Sequence, residues 1–210
     1  MGSPEFAVDS LKALVENSQN EVVAVITQPD RPKGRGQKVL MTTVKEYAMT
    51  KCLPVLQPVR IRNQEFIEEL RALKPELIVV VAFGQFLPKD ILQMPKHGCI
   101  NVHASLLPKY RGAAPIHYAI MNGEKETGVT IMMMDKGMDT GAMLAKSVMA
   151  ISDDMTMGVL HDQLKIAGAK LLLDVVEGLE RGTIIPIPQN NAEATYASLL
   201  DKEIEKIVWS

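Results

Sequence analysis

The sequence predicts an α/β fold with a doubly wound, mostly parallel sheet. Two continuous β-branched runs, 21–27 (EVVAVIT) and 76–82 (ELIVVVA), have the composition of strands buried on both faces. Helical stretches near 42–52 and 63–73 lie between them, giving the alternation expected of βαβ units, whose crossovers are right-handed almost by default. A third run, 98–103 (GCINVH), ends in polar residues where a buried strand enters a loop.

The elements follow in order. Pro4 and the apolar positions Leu11, Leu14 and Val15 predict an opening helix capped by Ser3. A doubly wound sheet ordinarily starts with a central strand before such a turn and helix, so its first strand is expected to be lacking here. After 98–103, a short helix is expected over 115–122, strands over 127–134 and 141–151, and a hairpin around 135–141. Leu160, Leu164, Ala167, Leu171, Val175 and Leu179 recur at helical spacing, so a long helix is expected over 156–181, with Gly182 just beyond its end. A folded domain over 1–182 followed by a linker-like segment over 183–210 is the expected organisation, the latter carrying Pro186, Pro188 and Gln189-Asn190-Asn191.

Composition narrows the function. At 210 residues, 47% hydrophobic and 23% charged, the chain has ordinary globular values that exclude disordered and fibrous classes. No apolar window approaches a membrane span and the N-terminus has no signal-peptide pattern, so a cytoplasmic protein without a membrane partner is expected. Cys52 and Cys99 show neither CxxC spacing nor a disulfide pattern, and no metal site is expected. The net charge of −2 hides a strong asymmetry. Residues 31–62 carry eight bases against the single acid Glu46, while the remainder holds 15 bases and 24 acids, a net of −9. The segment suits an anionic partner, or else is a solvated face offsetting nearby acids.

Strand alternation places Asn101 and His103 on one face and Ile100 and Val102 on the other. Alone, Asn-x-His reads as a satisfied core histidine beside a turn asparagine. Asp139-Thr140-Gly141 alters that reading, because a carboxylate near an imidazole fixes its tautomer and favours the cation. An aspartic-protease reading fails on the single Asp-Thr-Gly and the α/β rhythm. Gly-x-Ser-x-Gly and Walker loops are absent, and Gly34-Arg35-Gly36 completes no dinucleotide fingerprint. Asn, His and Asp without a protein nucleophile suit direct acyl transfer, in which the acceptor amine attacks and the protein stabilises the oxyanion.

The motif Asn101-x-His103-x-Ser105-Leu106-Leu107-Pro108-x-x-Arg111-Gly112-Ala113-Ala114-Pro115-Ile116, followed by Asp135-x-Gly137-Met138-Asp139-Thr140-Gly141, resembles the 10-formyltetrahydrofolate-dependent formyltransferases. The resemblance covers nearly the whole chain and implies a formyltransferase-type Rossmann-like domain with 10-formyltetrahydrofolate as donor cosubstrate. It implies catalytic roles for Asn101, His103 and Asp139 and folate binding by Ser105, Leu106, Leu107 and Pro108. Phe83, Gly84, Gln85 and Leu87 resemble the loop whose backbone recognises the pterin. Residues 27–38 (TQPDRPKGRGQK) resemble the insertion loop of the branch that formylates initiator methionyl-tRNA, implying tRNA contacts from Arg31, Lys33, Arg35 and Lys38, which agrees with the charge argument. Three departures from the family pattern are expected: the absence of the first strand before Met1, Val208 in place of the usual acid or amide before Trp209, and the absence of the family's OB-like C-terminal domain. A monomer acting in translation initiation is expected. The alternatives are a formyltransferase for another amine such as an amino sugar, a folate hydrolase, or a catalytically silent folate- or RNA-binding module.

Overall fold

A computed structural model describes residues 1–33 and 37–201. In chain order the elements are α1 (Phe6–Glu16), β1 (Val25–Ile26), β2 (Arg31–Lys33), β3 (Lys38–Leu40), α2 (Thr43–Thr50), β4 (Val55–Leu56), α3 (Gln64–Ala72) and β5 (Ile78–Val80). There follow α4 (Lys89–Leu92), β6 (Cys99–His103), β7 (Arg111–Gly112), α5 (Pro115–Met121), β8 (Glu126–Met133), β9 (Met143–Ala150), α6 (Met157–Glu180) and β10 (Tyr196–Ala197).

The sheet is mixed. β1 pairs with β4 and β5 with β6 in parallel, whereas β6–β8 and β8–β9 are antiparallel, as the hairpin requires. Met1 and Gly2 hold the central position. Gly2 bridges Val81 in parallel and donates its N–H to the Ile26 carbonyl at 3.0 Å, while Val81 N–H donates to the Met1 carbonyl at 2.9 Å. Those bonds join the β1–β4 pair to the four-stranded order β5-β6-β8-β9. The long run at 21–27 thus contributes only Val25–Ile26 to the ladder, because β4 offers it only two residues, Val55 and Leu56.

Ile100 and Val102 of β6 join Val129, Ile131, Leu160 and Leu164 in one apolar cluster, while Cys99 joins Ile78, Val80, Phe83 and Ile91 in another. Alternation on β6 sends its side chains to both. Cys99 donates its thiol proton toward the Ile91 carbonyl at 3.5 Å, and burial pushes the thiol up to about 12, so it stays protonated. Cys52 is exposed.

Side chains cap the N-termini of α2, α3 and α6, whereas α1, α4 and α5 have no side-chain cap. Asn63 and Thr156 accept N–H bonds from Glu65 and Val159, and Gly182 at φ +66° follows α6. Ser3 caps nothing: its hydroxyl accepts from Gln28 N–H at 3.1 Å and from Thr27 Oγ1 at 3.3 Å, and α1 starts only at Phe6. A serine tied to the end of β1 cannot also reach the helix. Thr42 does both jobs, accepting from Lys45 N–H at 3.2 Å and pairing with the Thr27 hydroxyl at 2.7 Å. Thr42→Ala is expected to lower unfolding free energy by about 1–2 kcal/mol, measured in a urea titration.

The segment after Gly182 has little regular structure, yet it returns to the domain. Ile187 bridges Met143, and β10 lies parallel to β7. Among the described residues no helix is long and apolar enough to cross a membrane.

Candidate active site

The end of β6, the turn after it and the β8–β9 connection meet at one point. Asn101 Nδ2 donates to Asp139 Oδ1 at 3.5 Å, and His103 Nδ1 lies 3.7 Å from Asp139 Oδ2. His103 is buried and Asp139 half-buried. The three candidate catalytic residues are therefore brought together, and all described roles for them start from this placement.

The support differs from the simple expectation that Asp139 orients the imidazole. His103 Nε2 bonds the Tyr110 carbonyl at 2.9 Å, and a carbonyl can only accept, so Nε2 carries a proton. Nδ1 is the nitrogen that faces the carboxylate, at a distance beyond a direct hydrogen bond. The firm partner of Asp139 Oδ2 is instead the Gly112 N–H at 2.8 Å. Asp139 sits at φ +53° and Tyr110 at φ +59°, so both sides of the site use left-handed backbone. Tyr110 is anchored at its other end, donating to Glu124 Oε1 and accepting from Asn122 Nδ2 at 2.9 Å. Burial first, and then the Glu124 carboxylate, raise its phenol above the ordinary value.

The expected folate segment is mostly interior. Ser105 and Leu107 are fully buried; Ser105 Oγ donates to the Lys109 carbonyl at 2.6 Å, and Leu107 N–H donates to Thr130 Oγ1 at 3.1 Å. Leu106 and Pro108 are half-buried. In the second segment Phe83 and Leu87 belong to the core, Gly84 is exposed at φ +79°, and Gln85 is tied by its Oε1 accepting from Ile61 N–H at 3.0 Å. Gln28 Nε2 donates to the Phe83 carbonyl at 2.9 Å, linking this segment to the root of the basic loop.

That root is rigidly tied. Lys45 donates to Asp30 Oδ2 at 2.5 Å and to Gln57 Oε1 at 2.7 Å, while Gln57 Nε2 donates to the Gln28 carbonyl at 2.9 Å. The bonds that Asp30 accepts from Lys45 and from Gln57 Nε2, the latter at 2.7 Å, hold its carboxyl below its usual range, the Lys45 bond acting most strongly. Lys45 is thereby spent on Asp30, which removes it from the charge available to a partner. Beyond the root, β2 and β3 form an antiparallel ribbon in which Lys33 lies opposite Lys38, and Arg31 is exposed. Arg35 lies outside the described residues, as does the segment around Val208 and Trp209. An open cleft of about 760 Å³ at the carboxyl end of β4 is walled by Gln57, Arg60, Arg62 and Asn63, apart from the Asn101–His103–Asp139 cluster.

Sequence reasoning missed Gln189. Its Nε2 donates to the carbonyls of Asp139 at 2.8 Å and Gly141 at 2.7 Å, and its Oε1 accepts from the Arg111 guanidinium at 3.0 and 2.8 Å. Its only signal was a polar cluster among prolines, which reads as a loop.

An α/β sheet in which Asn101 and His103, at the end of β6, meet Asp139 of the β8–β9 connection beside a buried turn suits an acyl-transfer class of enzyme. The family model described as "Formyl transferase" matches residues 1–176, and the chain belongs to that family. Within it, the chain is 55% identical over 211 residues to methionyl-tRNA formyltransferase of Clostridium novyi (strain NT), covering 100% of this chain and 68% of that protein. The fold is shared with glycinamide ribonucleotide transformylase 1 from Symbiobacterium toebii, with TM-score 0.73 and 16% identity, covering 90% of this chain and 92% of that one. It is shared also with an N-formyltransferase from Helicobacter canadensis in complex with folinic acid and dTDP-3-aminofucose, with TM-score 0.68 and 24% identity, covering 94% of this chain and 68% of that one.

Proposed function

We propose that this chain transfers a formyl group from 10-formyltetrahydrofolate to the α-amino group of methionine esterified to initiator tRNA. The convergence of Asn101, His103 and Asp139 carries the reading on the donor side. The name and 55% identity of the relative support the acceptor, as does the basic ribbon.

In this reading the amine attacks the formyl carbon, forming a C–N bond, and the bond from that carbon to the folate nitrogen breaks as the proton of the amine is passed on. An α-amino group has a pKa of about 7.7–8.0, so a useful neutral fraction is present near neutral pH and modest base assistance suffices. Asn101 Nδ2 and a proton on His103 Nδ1 are placed to hydrogen-bond the formyl oxygen as it gains charge. The Asp139 carboxylate, held by Gly112 N–H, stabilises a cationic ring, receives the amine proton directly and passes it to the departing folate nitrogen. Phe83, Gly84, Gln85 and Leu87, with Ser105 to Pro108, shape the folate site through backbone and packing, since several of their side chains are interior.

The deciding experiment offers the 210-residue chain 10-formyltetrahydrofolate with methionyl-tRNA, with a nucleotide-linked amino sugar, with glycinamide ribonucleotide and with water alone. Formylmethionyl-tRNA is the expected product. Formate alone, or a formylated sugar, would overturn the acceptor assignment. For the ribbon, Arg31→Ala and Arg35→Ala are each expected to weaken tRNA binding and to reduce the slope of log K against log[salt] by about 1. Filter binding from low to moderate salt reads this, and an unchanged slope would return these residues to the solvated surface.

A further inference from the structure

Arg111 is 2% exposed, and no carboxylate pairs with it among the described residues. Its Nε and Nη2 donate to Gln189 Oε1 at 3.0 and 2.8 Å, and Nη2 donates also to Asn191 Oδ1 at 2.8 Å. A buried cation costs a great deal unless its hydrogen bonds are met, and here two neutral amides meet them. Replacing such a group by an apolar residue would ordinarily be the cheaper way to fill the space, so its retention asks for a local reason.

The reason lies in what Gln189 does with its other end. Its amide nitrogen is bound to the carbonyls of Asp139 and Gly141, the two ends of the turn that presents the Asp139 carboxylate. The same returning strand fixes the opposite wall. Arg111 N–H donates to the Thr195 carbonyl at 2.9 Å, Tyr110 N–H to Thr195 Oγ1 at 2.8 Å, and Ala113 N–H to the Ala197 carbonyl at 2.8 Å. Between these bonds lie the Tyr110 carbonyl that takes His103 Nε2 and the Gly112 N–H that takes Asp139 Oδ2. One segment, 187–197, therefore holds both the imidazole's anchor and the carboxylate's turn.

We infer that Arg111 and Gln189 are positioning residues for the reaction, coupling the strand Tyr196–Ala197 to the Asp139 turn so that the carboxylate and the His103 ring keep their mutual placement. The inference rests on the proposed formyl transfer for its catalytic readout, but the placement itself is measurable without it. Arg111 selects the orientation of the Gln189 amide: a guanidinium can only donate, so the amide oxygen must face it and the amide nitrogen must face the Asp139 turn. A misplacement on the order of 1 Å at a catalytic group can cost about 10²-fold in rate.

Gln189→Glu separates positioning from mere structural support. The carboxylate keeps the bonds from Arg111 and adds a charge partner, yet it can donate nothing to the Asp139 and Gly141 carbonyls. Gln189→Ala removes both ends. Both variants are expected to lose kcat by about 10- to 100-fold with KM for the folate donor changed less than about threefold. In parallel, hydrogen exchange of the Gly112 amide, which reports directly on the Asp139 carboxylate, is expected to quicken at least tenfold in both variants. Full activity in the Glu variant with loss only in the Ala variant would reveal a structural brace and overturn the inference. Unchanged Gly112 exchange in both would overturn it as well. Should the parent fail to formylate methionyl-tRNA, the acceptor assignment falls, and the exchange measurement still decides the positioning role.

Discussion

Asn101→Ala is expected to lower the turnover of formyl transfer by about 10²–10³ while leaving affinity for the folate donor within a fewfold of the parent. Loss of one preorganised oxyanion donor ordinarily has this magnitude. Stability should change little, because Asn101 is half-buried and, among the described residues, its side chain bonds only Asp139 Oδ1, at a long 3.5 Å. A side chain that does little for the fold yet sits beside the imidazole and carboxylate is spared for the substrate. Single-turnover kinetics separate chemistry from binding here, and turnover within tenfold of the parent would remove Asn101 from the oxyanion site.

Gly112→Ala should damage both stability and activity. Gly112 lies at φ +114°, where a side chain is strained, and a Cβ built there would stand 2.6 Å from the Ala197 carbonyl oxygen. Strain of this kind costs on the order of 1–3 kcal/mol, and the backbone clash adds to it. Relief requires either β10 or β7 to move, and movement of β7 carries away the N–H that holds Asp139 Oδ2. Gly123→Ala is the matched control, since it shares a positive φ of +65° but meets nothing within 4 Å. It should cost only about 1–2 kcal/mol, with kcat unchanged. Equal losses in the two variants would show that backbone strain alone, and not the approach of the returning strand, is responsible.

The residues proposed to carry chemistry were legible because chemistry restricts composition. Asn101 and His103 declared a shared face through strand alternation, and the structure puts both beside Asp139. The helical stretches expected near 42–52 and 63–73 and over 156–181 start at the caps Thr42, Asn63 and Thr156, and Gly182 follows α6 as its position beyond the apolar repeat implied. Ser3 shows the limit. Its hydroxyl suits a cap, but a bond to Gln28, 25 residues away, takes it instead. Gln189 marks the same limit at the site. Nothing local distinguishes a glutamine that braces a turn 48 and 50 residues earlier from one facing solvent, because its partners are main-chain carbonyls with no sequence signature.

The pairing of Arg111–Gly112 with Tyr196–Ala197 spans 85 positions of the chain. Contacts so distant in sequence form late, since the intervening loop must be closed before they yield anything. During synthesis, which proceeds from the N-terminus, β5, β6, β8 and β9 and the α6 helix can all pack before residues 189–197 exist. His103 and Asp139 would then already share a fold without sharing their final geometry. Competence for catalysis is in this sense timed, arriving only once residues 189–197 have been made. A polypeptide interrupted near Gly182 would carry every candidate catalytic side chain and still lack the strand that sets them to work.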